Sequence, residues 1–382
     1  MKKIYYWSPC LANIGTVKST INSCIALSKY SKENYDVVLL NACGEWDNFK
    51  DILKKKKIDI LDLNFKYYNL LPKNGYLWSR ISYILIFLLS YYPLKKILAK
   101  NKPDFIIIHL ITSLPILMSL FNDFQTKLIL RISGFPKLNF LRKMFWKLSI
   151  KKINCITSPT EALIDQLTSL DIFEKNKLYF LPDAILNIND LYKNYQSKEI
   201  FKNEKIQKNY YMAAGRLTKQ KNFSYLIKEF KKFLDIYPEE KLIIFGEGEE
   251  RRKLLKIINK QNISNSVFLM GYSSNIHLHM KNAQSFILSS LWEDPGFVLI
   301  EAAYSNLFII SSDCKNGPKE FLKDGKGGLL FKNNQENALM EKLLYQKEMS
   351  EHDKNKMRVI SKKNSKKYSL FQHYLKLHKL FS

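Results

Sequence analysis

The sequence is poor in the residues that hold small extracellular proteins together. Its 382 residues include only five cysteines, which are scattered along the chain and form no C-x-x-C pair. An odd number of isolated cysteines argues against a disulfide framework or a zinc site and fits a reducing compartment. Glycine (13) and proline (11) are too scarce for a low-complexity architecture. A chain of this length buries roughly 75% of its unfolded surface, so it can fold without cross-links.

Long hydrophobic runs are also missing. The first apolar stretch, Ile4–Trp7, is too short for a targeting segment, so none is expected. The most apolar stretch is Ile81–Tyr92, and its twelve residues fall short of the roughly 20 that cross a bilayer. Two interpretations stay open for it, a buried helix of an α/β domain or an interfacial helix that touches a membrane. The basic and aromatic segment Phe140–Lys152 favours the second.

Acidic side chains are few relative to basic ones. Lys and Arg number 61 against 35 Asp and Glu, a formal net charge of +26. This excess indicates an anionic partner (nucleic acid, a membrane surface or a phosphorylated substrate), unless it reflects a compositional drift toward Lys, Asn and Ile. Residues 1–160 hold 25 basic and 9 acidic side chains, so the first half is the more cationic. No nucleic-acid recognition motif accompanies the charge, and we expect no nucleic-acid partner.

Short apolar segments alternate with helix-length segments from end to end, which is typical of parallel α/β architecture. A helix is expected over 223–234, where apolar residues recur at close to a 3.6 period. The expected strands are Lys3–Trp7, Tyr35–Leu40, Phe105–Leu110, Leu128–Ile132, Asn154–Ser158, Tyr210–Ala214, Leu242–Phe245, Val267–Met270, Phe286–Leu288 and Phe308–Ser311.

The polar segment Asn187–Asn209 predicts a linker between two domains. We therefore predict an α/β protein of two Rossmann-like, doubly wound domains facing across a cleft. Residues 1–190 form the acceptor-side domain and residues 205–353 the nucleotide-sugar-binding domain. A helical segment, 354–382, is expected to pack across the domain junction. Ligands of such sheets bind at the carboxyl ends of the strands.

The segment Leu288–Glu301 (LSSLWEDPGFVLIE) carries the most chemistry. A strand ends there in serines, Glu293 follows on a turn, and a helix is expected to begin near Phe297 with Glu301 in its first turn. Free amides at a helix N-terminus bind anions. Carboxylates on either side of a bound phosphate suit hydroxyl groups, so the pattern indicates a sugar nucleotide. Taken alone, Glu301 also fits a carboxylate that stabilises the helix dipole.

Two cations follow another predicted strand end. Gly215-Arg216 closes the strand at Tyr210–Ala214, and Lys221 comes five residues after the arginine. Fixed cations of this kind can stabilise the charge of a departing diphosphate. In a chain with 61 basic residues, either one alone would be an ordinary surface charge.

The order and spacing of these elements resemble the nucleotide-binding domain of retaining glycosyltransferases of the GT-B fold, family 4, of the bacterial surface-polysaccharide type. The resemblance covers about residues 205–350 and rests on Gly215-Arg216…Lys221, Gly246-Glu247-Gly248, Met270-Gly271-Tyr272, Glu293-x7-Glu301 and Gly317-Pro318…Glu320…Gly325…Gly327-Gly328. It implies that Arg216 and Lys221 hold the donor diphosphate, that Glu293 lies by the donor sugar, and that Glu301 takes ribose hydroxyls. The family loop Glu-Gly-Phe-Gly is altered, because Asp294-Pro295 replaces its Gly-Phe pair.

The resemblance extends less fully to the first half. Gly15 resembles the family's N-terminal glycine loop. His109 lies at the end of the predicted strand Phe105–Leu110, where a family histidine faces the donor sugar, although a structural role stays open. Arg131 ends the next strand and faces either the acceptor or a salt-bridge partner. The implied donor-binding residues are Gly15, Gly215, Gly271, Tyr272, Gly296, Phe297 and Glu301, and the implied catalytic residues are His109, Arg216, Lys221 and Glu293.

The function implied is transfer of a sugar, with retention, from a nucleotide-diphosphate donor to a glycan or lipid-linked acceptor in cell-surface polysaccharide or lipopolysaccharide biosynthesis. No cofactor and no metal are expected, since a strict Asp-x-Asp is absent. The expected location is cytoplasmic, at the inner face of the cytoplasmic membrane, with an anionic membrane surface as a further partner. The alternatives are a sugar-nucleotide epimerase or hydrolase of the same fold, or a basic nucleic-acid binder.

Overall fold

The structure, a computed structural model, describes residues 1–11, 15–31, 34–63, 68, 71–72, 76–136, 138–191 and 209–381. The chain forms two units, Met1–Ile185 with Ser369–Ser382, and Leu186–Tyr368. Most of the predicted linker Asn187–Asn209 lies outside the described residues. The predicted terminal segment 354–382 is divided, because its last part belongs to the first unit.

The first unit is built on a seven-stranded parallel sheet in the order β3-β2-β1-β4-β5-β6-β7. Its strands are β1 (Lys2–Trp7), β2 (Tyr35–Asn41), β3 (Asp59–Asp62), β4 (Phe105–Ile108), β5 (Lys127–Arg131), β6 (Cys155–Ser158) and β7 (Leu178–Phe180). Its helices are α1 (Gly15–Tyr30), α2 (Lys50–Lys55), α3 (Tyr76–Asn101), α4 (Ser113–Phe121), α5 (Phe140–Ser149) and α6 (Glu161–Thr168). Apolar side chains are buried on both faces of this sheet, which is why β1 and β4 read as nearly unbroken apolar runs.

The second unit has a six-stranded parallel sheet in the order β10-β9-β8-β11-β12-β13. Its strands are β8 (Tyr210–Ala214), β9 (Leu242–Phe245), β10 (Val267–Gly271), β11 (Ala283–Leu288), β12 (Phe308–Ser312) and β13 (Leu329–Phe331). Its helices are α7 (Phe223–Leu234), α8 (Arg251–Lys260), α9 (Ile276–Asn282), α10 (Phe297–Tyr304), α11 (Pro318–Phe321), α12 (Ala338–Glu348) and α13 (Glu351–Ser365). The last helix of the chain, α14 (Leu370–His378), belongs to the first unit and packs on α1.

Both sheets have the doubly wound order, which confirms the predicted α/β fold class. The direction of winding reverses between β1 and β4 in the first unit and between β8 and β11 in the second. Ligands of such sheets bind outside the carboxyl ends of the strands at these reversal points. The loops after β1, β4, β8 and β11 are therefore where functional side chains are expected.

The ten expected strands are all present, with ends that differ by up to three residues. Three strands were missed, namely β3, β7 and β13, and all three lie at an edge of a sheet. β3 and β7 contain no fully buried residue, and β13 is only three residues long. The predicted apolar helix over Ile81–Tyr92 was too short, since α3 runs for 26 residues from Tyr76 to Asn101. Pro93 lies inside α3 and does not end it.

A buried polar chain ties α14 into the first unit. His373 Nδ1 lies 2.7 Å from the carbonyl oxygen of Pro182, which can only accept, so this nitrogen donates. Burial lowers the pKa of His373 from its ordinary 6.5 to about 4, so the ring is neutral and Nε2 accepts a hydrogen bond. Ser23 donates to that nitrogen at 2.7 Å, and its oxygen is left to accept from the Tyr6 hydroxyl, also at 2.7 Å.

The neutral, buried His373 in this hydrogen-bond network predicts that the folded protein becomes less stable at acidic pH. As the pH falls below 6.5, His373 becomes protonated in the unfolded protein. In the folded protein it stays neutral until the pH reaches about 4. The free energy of unfolding should therefore fall as pH drops across that window, by up to about 1.4 kcal/mol per pH unit for one proton. Denaturant titrations at several pH values should show a shallower dependence in His373→Gln, whereas His352→Asn, at an exposed position on α13, should keep the wild-type slope. An unchanged slope in His373→Gln would contradict the assignment.

Candidate active site

The loops after β8 and β11 are joined by hydrogen bonds at the reversal point of the second sheet. The amide of Leu291 donates to the carbonyl oxygen of Gln220 at 2.8 Å, and the Gln220 side chain donates to the carbonyl oxygen of Trp292 at 2.9 Å. The Ser289 hydroxyl donates to the carbonyl oxygen of Lys221 at 2.8 Å. The two loops therefore hold each other in register, and the residues they carry lie side by side.

A buried ion pair lies between these loops. Lys221 Nζ is 2.5 Å from Glu293 Oε1, and both side chains are largely shielded from solvent. The Ser290 hydroxyl donates to the same oxygen at 2.5 Å. The carbonyl of Ser290 in turn accepts from the Ser312 hydroxyl at 2.7 Å. Because a buried carboxylate is costly without partners, these contacts explain how Glu293 is kept in the site.

Glycines let the strand ends approach each other closely. A Cβ at Gly246 would lie 1.9 Å from the carbonyl oxygen of Gly215, and Gly246 has a φ of 133°. A Cβ at Gly215 would lie 2.9 Å from Cε of Lys221, so the lysine side chain lies over that glycine. The amide of Gly246 also donates to the carbonyl oxygen of Gly271 at 2.7 Å. These contacts place the ends of β8, β9 and β10 in one tight row.

Arg216 follows Gly215 on the same loop as Lys221. Its side chain is exposed, and within the described part of the chain no ion pair involves it. An exposed guanidinium on this loop is available to an anionic ligand.

The N-terminus of α10 lies directly after Glu293. Its N-cap, Gly296, has a φ of 95° and no side chain to cap the first turn. The first amides of the helix, beginning at Phe297, therefore face outward with the positive end of the helix dipole. Glu301 is buried, and it is the fifth residue of α10. The helix begins at Phe297, as the sequence predicts. Glu301 therefore lies just past the first turn rather than within it.

Glu301 has a basic neighbour that the sequence did not indicate. His277 on α9 is buried, and its Nε2 lies 3.9 Å from Glu301 Oε1. Gly271 is the last residue of β10, and Tyr272 follows it at an exposed position. A Cβ at Gly271 would lie 2.7 Å from Glu247 Oε1, so that carboxylate lies against the glycine.

The first unit places Gly15 and His109 after β1 and β4, at its own reversal point. Thr20 donates to the carbonyl oxygen of Thr16 at 2.8 Å, so its oxygen must accept from His109 Nδ1 at 3.1 Å. The pKa of His109 lies well below its ordinary value because the ring is buried. His109 is therefore neutral, with Nε2 left as a hydrogen-bond acceptor.

Arg131 is not at an exposed position. Its Nη2 lies 2.6 Å from Asp183 Oδ1, and both side chains are buried. Asp183 also accepts from the Ser19 hydroxyl at 2.7 Å, and Arg131 donates to the carbonyl oxygen of Leu181 at 3.3 Å. Of the two interpretations left open by the sequence, the geometry supports the salt bridge. The acceptor-side interpretation has no contact in its support, because the buried guanidinium is paired with Asp183.

Sequence reasoning missed the partners of the site residues. Ser290 and Ser289 were seen only as a strand end, although their hydroxyls hold Glu293 and the Lys221 loop. His277 and Thr20 carried no signal at all, since each acts through a contact between distant parts of the chain. Among the described residues, no group of three or more His, Cys, Asp or Glu side chains could hold a metal ion.

The chain has two doubly wound parallel units, and the solved structures that it resembles are glycosyltransferases of the GT-B fold class. A family model described as "Glycosyl transferases group 1" matches residues 196–367. The chain is also 30% identical over 326 residues to an uncharacterized glycosyltransferase of Methanocaldococcus jannaschii, covering 80% of this chain and 76% of that one. The chain thus belongs to the group 1 glycosyltransferase family, and it is a glycosyltransferase.

Other similarities are shorter or more remote. A Campylobacter jejuni protein named as an N-acetylgalactosaminyltransferase acting on a diphospho-undecaprenol-linked sugar is 32% identical over 143 residues, which are 37% of this chain and 38% of that one. A glycosyltransferase structure from Rickettsia africae has a TM-score of 0.77 at 15% identity and covers 100% of this chain and 97% of that chain. An Anabaena protein solved with UDP and glucose has a TM-score of 0.71 at 13% identity, with 99% of each chain covered.

Proposed function

We propose that this glycosyltransferase moves a sugar from a nucleotide-diphosphate donor to a glycan or lipid-linked acceptor, with retention of configuration. The observation that carries the proposal is the Lys221–Glu293 ion pair at the ends of β8 and β11. Beside it are the exposed Arg216 and the uncapped N-terminus of α10. A diphosphate is the anion that three such positive groups suit, because its charge is spread over two phosphates.

The donor is proposed to be a sugar nucleotide because carboxylates flank these positive groups. Carboxylates accept hydrogen bonds from hydroxyls but repel phosphates. Glu301 is assigned the ribose hydroxyls and Glu293 the sugar side. The Anabaena neighbour, solved with UDP and glucose, supports a nucleoside diphosphate as the ligand class.

The reaction proposed requires no enzyme nucleophile. The bond between the anomeric carbon and the diphosphate oxygen breaks, while Arg216, Lys221 and the α10 amides stabilise the negative charge that develops on the leaving group. The acceptor hydroxyl forms its bond to the same face of that carbon. Its proton passes to the departing phosphate oxygen, so charge and atoms balance. Neutral His109, with Nε2 free to accept, is assigned to a hydroxyl of the donor sugar.

Metal independence is part of the proposal, since protein groups supply the positive charge on the diphosphate. Full activity after exhaustive treatment with a chelator would support it, and loss of activity that is restored by Mg²⁺ or Mn²⁺ would overturn it.

The proposed acceptor class draws on the C. jejuni relative, whose name includes an undecaprenol-linked substrate. We place the reaction in cell-surface glycan biosynthesis, at the cytoplasmic side of the membrane. The comparisons give no support to an epimerase, a hydrolase or a nucleic-acid binder.

The proposal is tested by screening the full chain against UDP-, GDP-, ADP- and CMP-linked sugars by thermal shift. A ligand at 100 times its dissociation constant adds about 2.7 kcal/mol to stability. The stabilising donor is then supplied in labelled form with a lipid extract or glycan acceptor, and the anomeric configuration of the product is read by NMR. A product of inverted configuration, or stabilisation by none of the four donors, would count against the proposal.

The Glu293→Gln variant should separate binding from turnover. The amide keeps the shape of the carboxylate but removes the charge that positions Lys221. We expect kcat to fall by about 10- to 100-fold, because hydrogen bonds to charged groups contribute about 1.5–3 kcal/mol. The dissociation constant of the nucleoside diphosphate should change little, since Lys221 remains to bind it.

The matched control is Glu249→Gln, which alters an exposed carboxylate in the loop after β9 and should leave kcat at the wild-type value. Steady-state kinetics and nucleotide titrations provide both readouts. An unchanged kcat in Glu293→Gln would exclude the assigned role. A parallel loss of nucleotide affinity would show that Glu293 acts through binding instead.

A further inference from the structure

Three consecutive helices, α3, α4 and α5, cover one face of the first sheet. Helix α4 contacts both α3 and α5, so the three form one layer. Their sequences contain no Asp or Glu. Side chains from this layer fill the same buried cluster, including Ile86 and Leu94 of α3, Leu114 of α4 and Ile150 after α5.

Helix α3 has a buried stripe on one side and an exposed apolar stripe on the opposite side. Every fourth residue is buried, and these residues are Ser82, Ile86, Ser90, Leu94 and Leu98. The other side exposes large apolar side chains, namely Trp78, Ile81, Ile84, Leu85, Leu88, Leu89 and Tyr92. By length and composition, Arg80–Asn101 could cross a membrane. A helix with one stripe packed into a protein core cannot be surrounded by lipid, so α3 is suited to lie along an interface.

Helix α5 also exposes large apolar side chains, and it has more basic residues beside them. It exposes Phe140, Leu141, Met144 and Leu148, with Phe140 79% exposed. The basic residues Arg142, Lys143, Lys147 and Lys151 are exposed beside them. An exposed apolar strip flanked by cations is the arrangement of helices that bind at the surface of anionic bilayers.

We propose that the α3–α5 face, defined as the exposed side chains of α3 and α5 named above, docks the protein flat on an anionic lipid bilayer. The apolar side chains enter the boundary between headgroups and acyl chains. Trp78 and Tyr92, near the two ends of the α3 stripe, have the amphipathic rings that favour headgroup depth. The lysines of α5 contact the anionic headgroups, each contributing favourably near the surface.

The basic charge of the α3–α5 face favours an anionic bilayer over a second copy of the chain as its partner. The face carries basic side chains and no acidic ones on its helices. Pairing it with itself would place like charges together, which is unfavourable. An anionic bilayer satisfies both the apolar and the cationic side chains. The inference does not depend on the donor site, which lies in the other unit.

The test is co-sedimentation of the full chain with vesicles of phosphatidylcholine alone or mixed with phosphatidylglycerol. We expect binding to the mixed vesicles only, weakened by added salt. Ile84→Glu with Leu88→Glu, and separately Lys143→Glu with Lys147→Glu, should each weaken binding by at least about tenfold. The matched controls on the second unit, Val359→Glu and Lys228→Glu, alter exposed residues and should bind as wild type.

Melting temperatures and nucleotide-induced thermal shifts show that each variant is folded, so a failed donor assignment and a failed membrane assignment are read separately. Equal binding to neutral vesicles, or binding that salt does not affect, would overturn the electrostatic part. Absence of vesicle binding, with a dimer that Ile84→Glu and Leu88→Glu dissociate, would assign the face to a second copy. Resistance of bound protein to alkaline extraction would mean that α3 spans the bilayer rather than lying on it.

Discussion

Replacement of Arg216 or Lys221 by alanine will lower sugar transfer by at least about 100-fold, the usual effect of removing one group that stabilises transition-state charge. Both cations follow β8 at the reversal point of the second sheet. Their positive charge is matched to the diphosphate as it departs, so the loss should appear in kcat as well as in donor affinity. Lys221→Ala carries a second cost, because it leaves the buried carboxylate of Glu293 without its ion-pair partner.

The controls for this prediction lie in the same loop. Lys219 is exposed two residues before Lys221 on the same loop, and Lys219→Ala should keep near-wild-type turnover. Arg216→Lys should recover only part of the activity, because an ammonium cannot reproduce the paired donors of a guanidinium. Initial rates of transfer and of donor hydrolysis are the measurement. Near-normal rates in both alanine variants would remove the basis of the assigned site.

Substitution of Gly246 by alanine will destabilise the second unit by about 2–5 kcal/mol, combining overpacking with backbone strain. The added Cβ would lie 1.9 Å from the carbonyl oxygen of Gly215, and the φ of 133° is one that alanine rarely adopts. Because the neighbour is backbone rather than a flexible side chain, the end of β8 must move. That movement would displace Arg216 and Lys221, so activity should fall together with stability.

Gly325→Ala is the matched comparison. This glycine also has a positive φ, 97°, but its Cβ would meet nothing closer than 3.8 Å. Its substitution should cost only the strain, about 1–2 kcal/mol, and should leave the kinetics of the folded protein unchanged. Thermal melts and denaturant titrations measure both variants. Equal destabilisation of the two would show that φ, and not the close approach of strand ends, makes Gly246 necessary.

Glycines and strand ends were the features most readable from the sequence. Gly215, Gly246 and Gly271 each close an apolar run, and the structure places all three at adjacent strand ends. The pattern is local, because a buried parallel strand must be apolar and its exit must turn. The edge strands β3, β7 and β13 were not readable, since β3 and β7 bury no residue fully and β13 has only three residues.

The length of α3 and the surroundings of Arg131 show where local patterns failed. The apolar run Ile81–Tyr92 indicated a helix but not its 26 residues. Lysines interrupt the apolar pattern after Pro93, and this part of the helix is held by packing of Leu94 and Leu98 in the core. Arg131 ends a strand like a functional residue, yet Asp183, far along the chain, neutralises it. Neither fact is encoded in adjacent residues.

By itself the sequence determined the α/β class, the order of the strands along the chain and the residue types at their carboxyl ends, because these follow from short-range apolar periodicity and from glycine's conformational freedom. The tertiary structure decided which of those residues meet. It paired Lys221 with Glu293, set His277 beside Glu301, gave His109 its tautomer through Thr20, and left large apolar side chains on one side of α3 exposed. Such contacts join residues distant in sequence, and their distances depend on how parallel strands are ordered in a sheet, which no local pattern specifies.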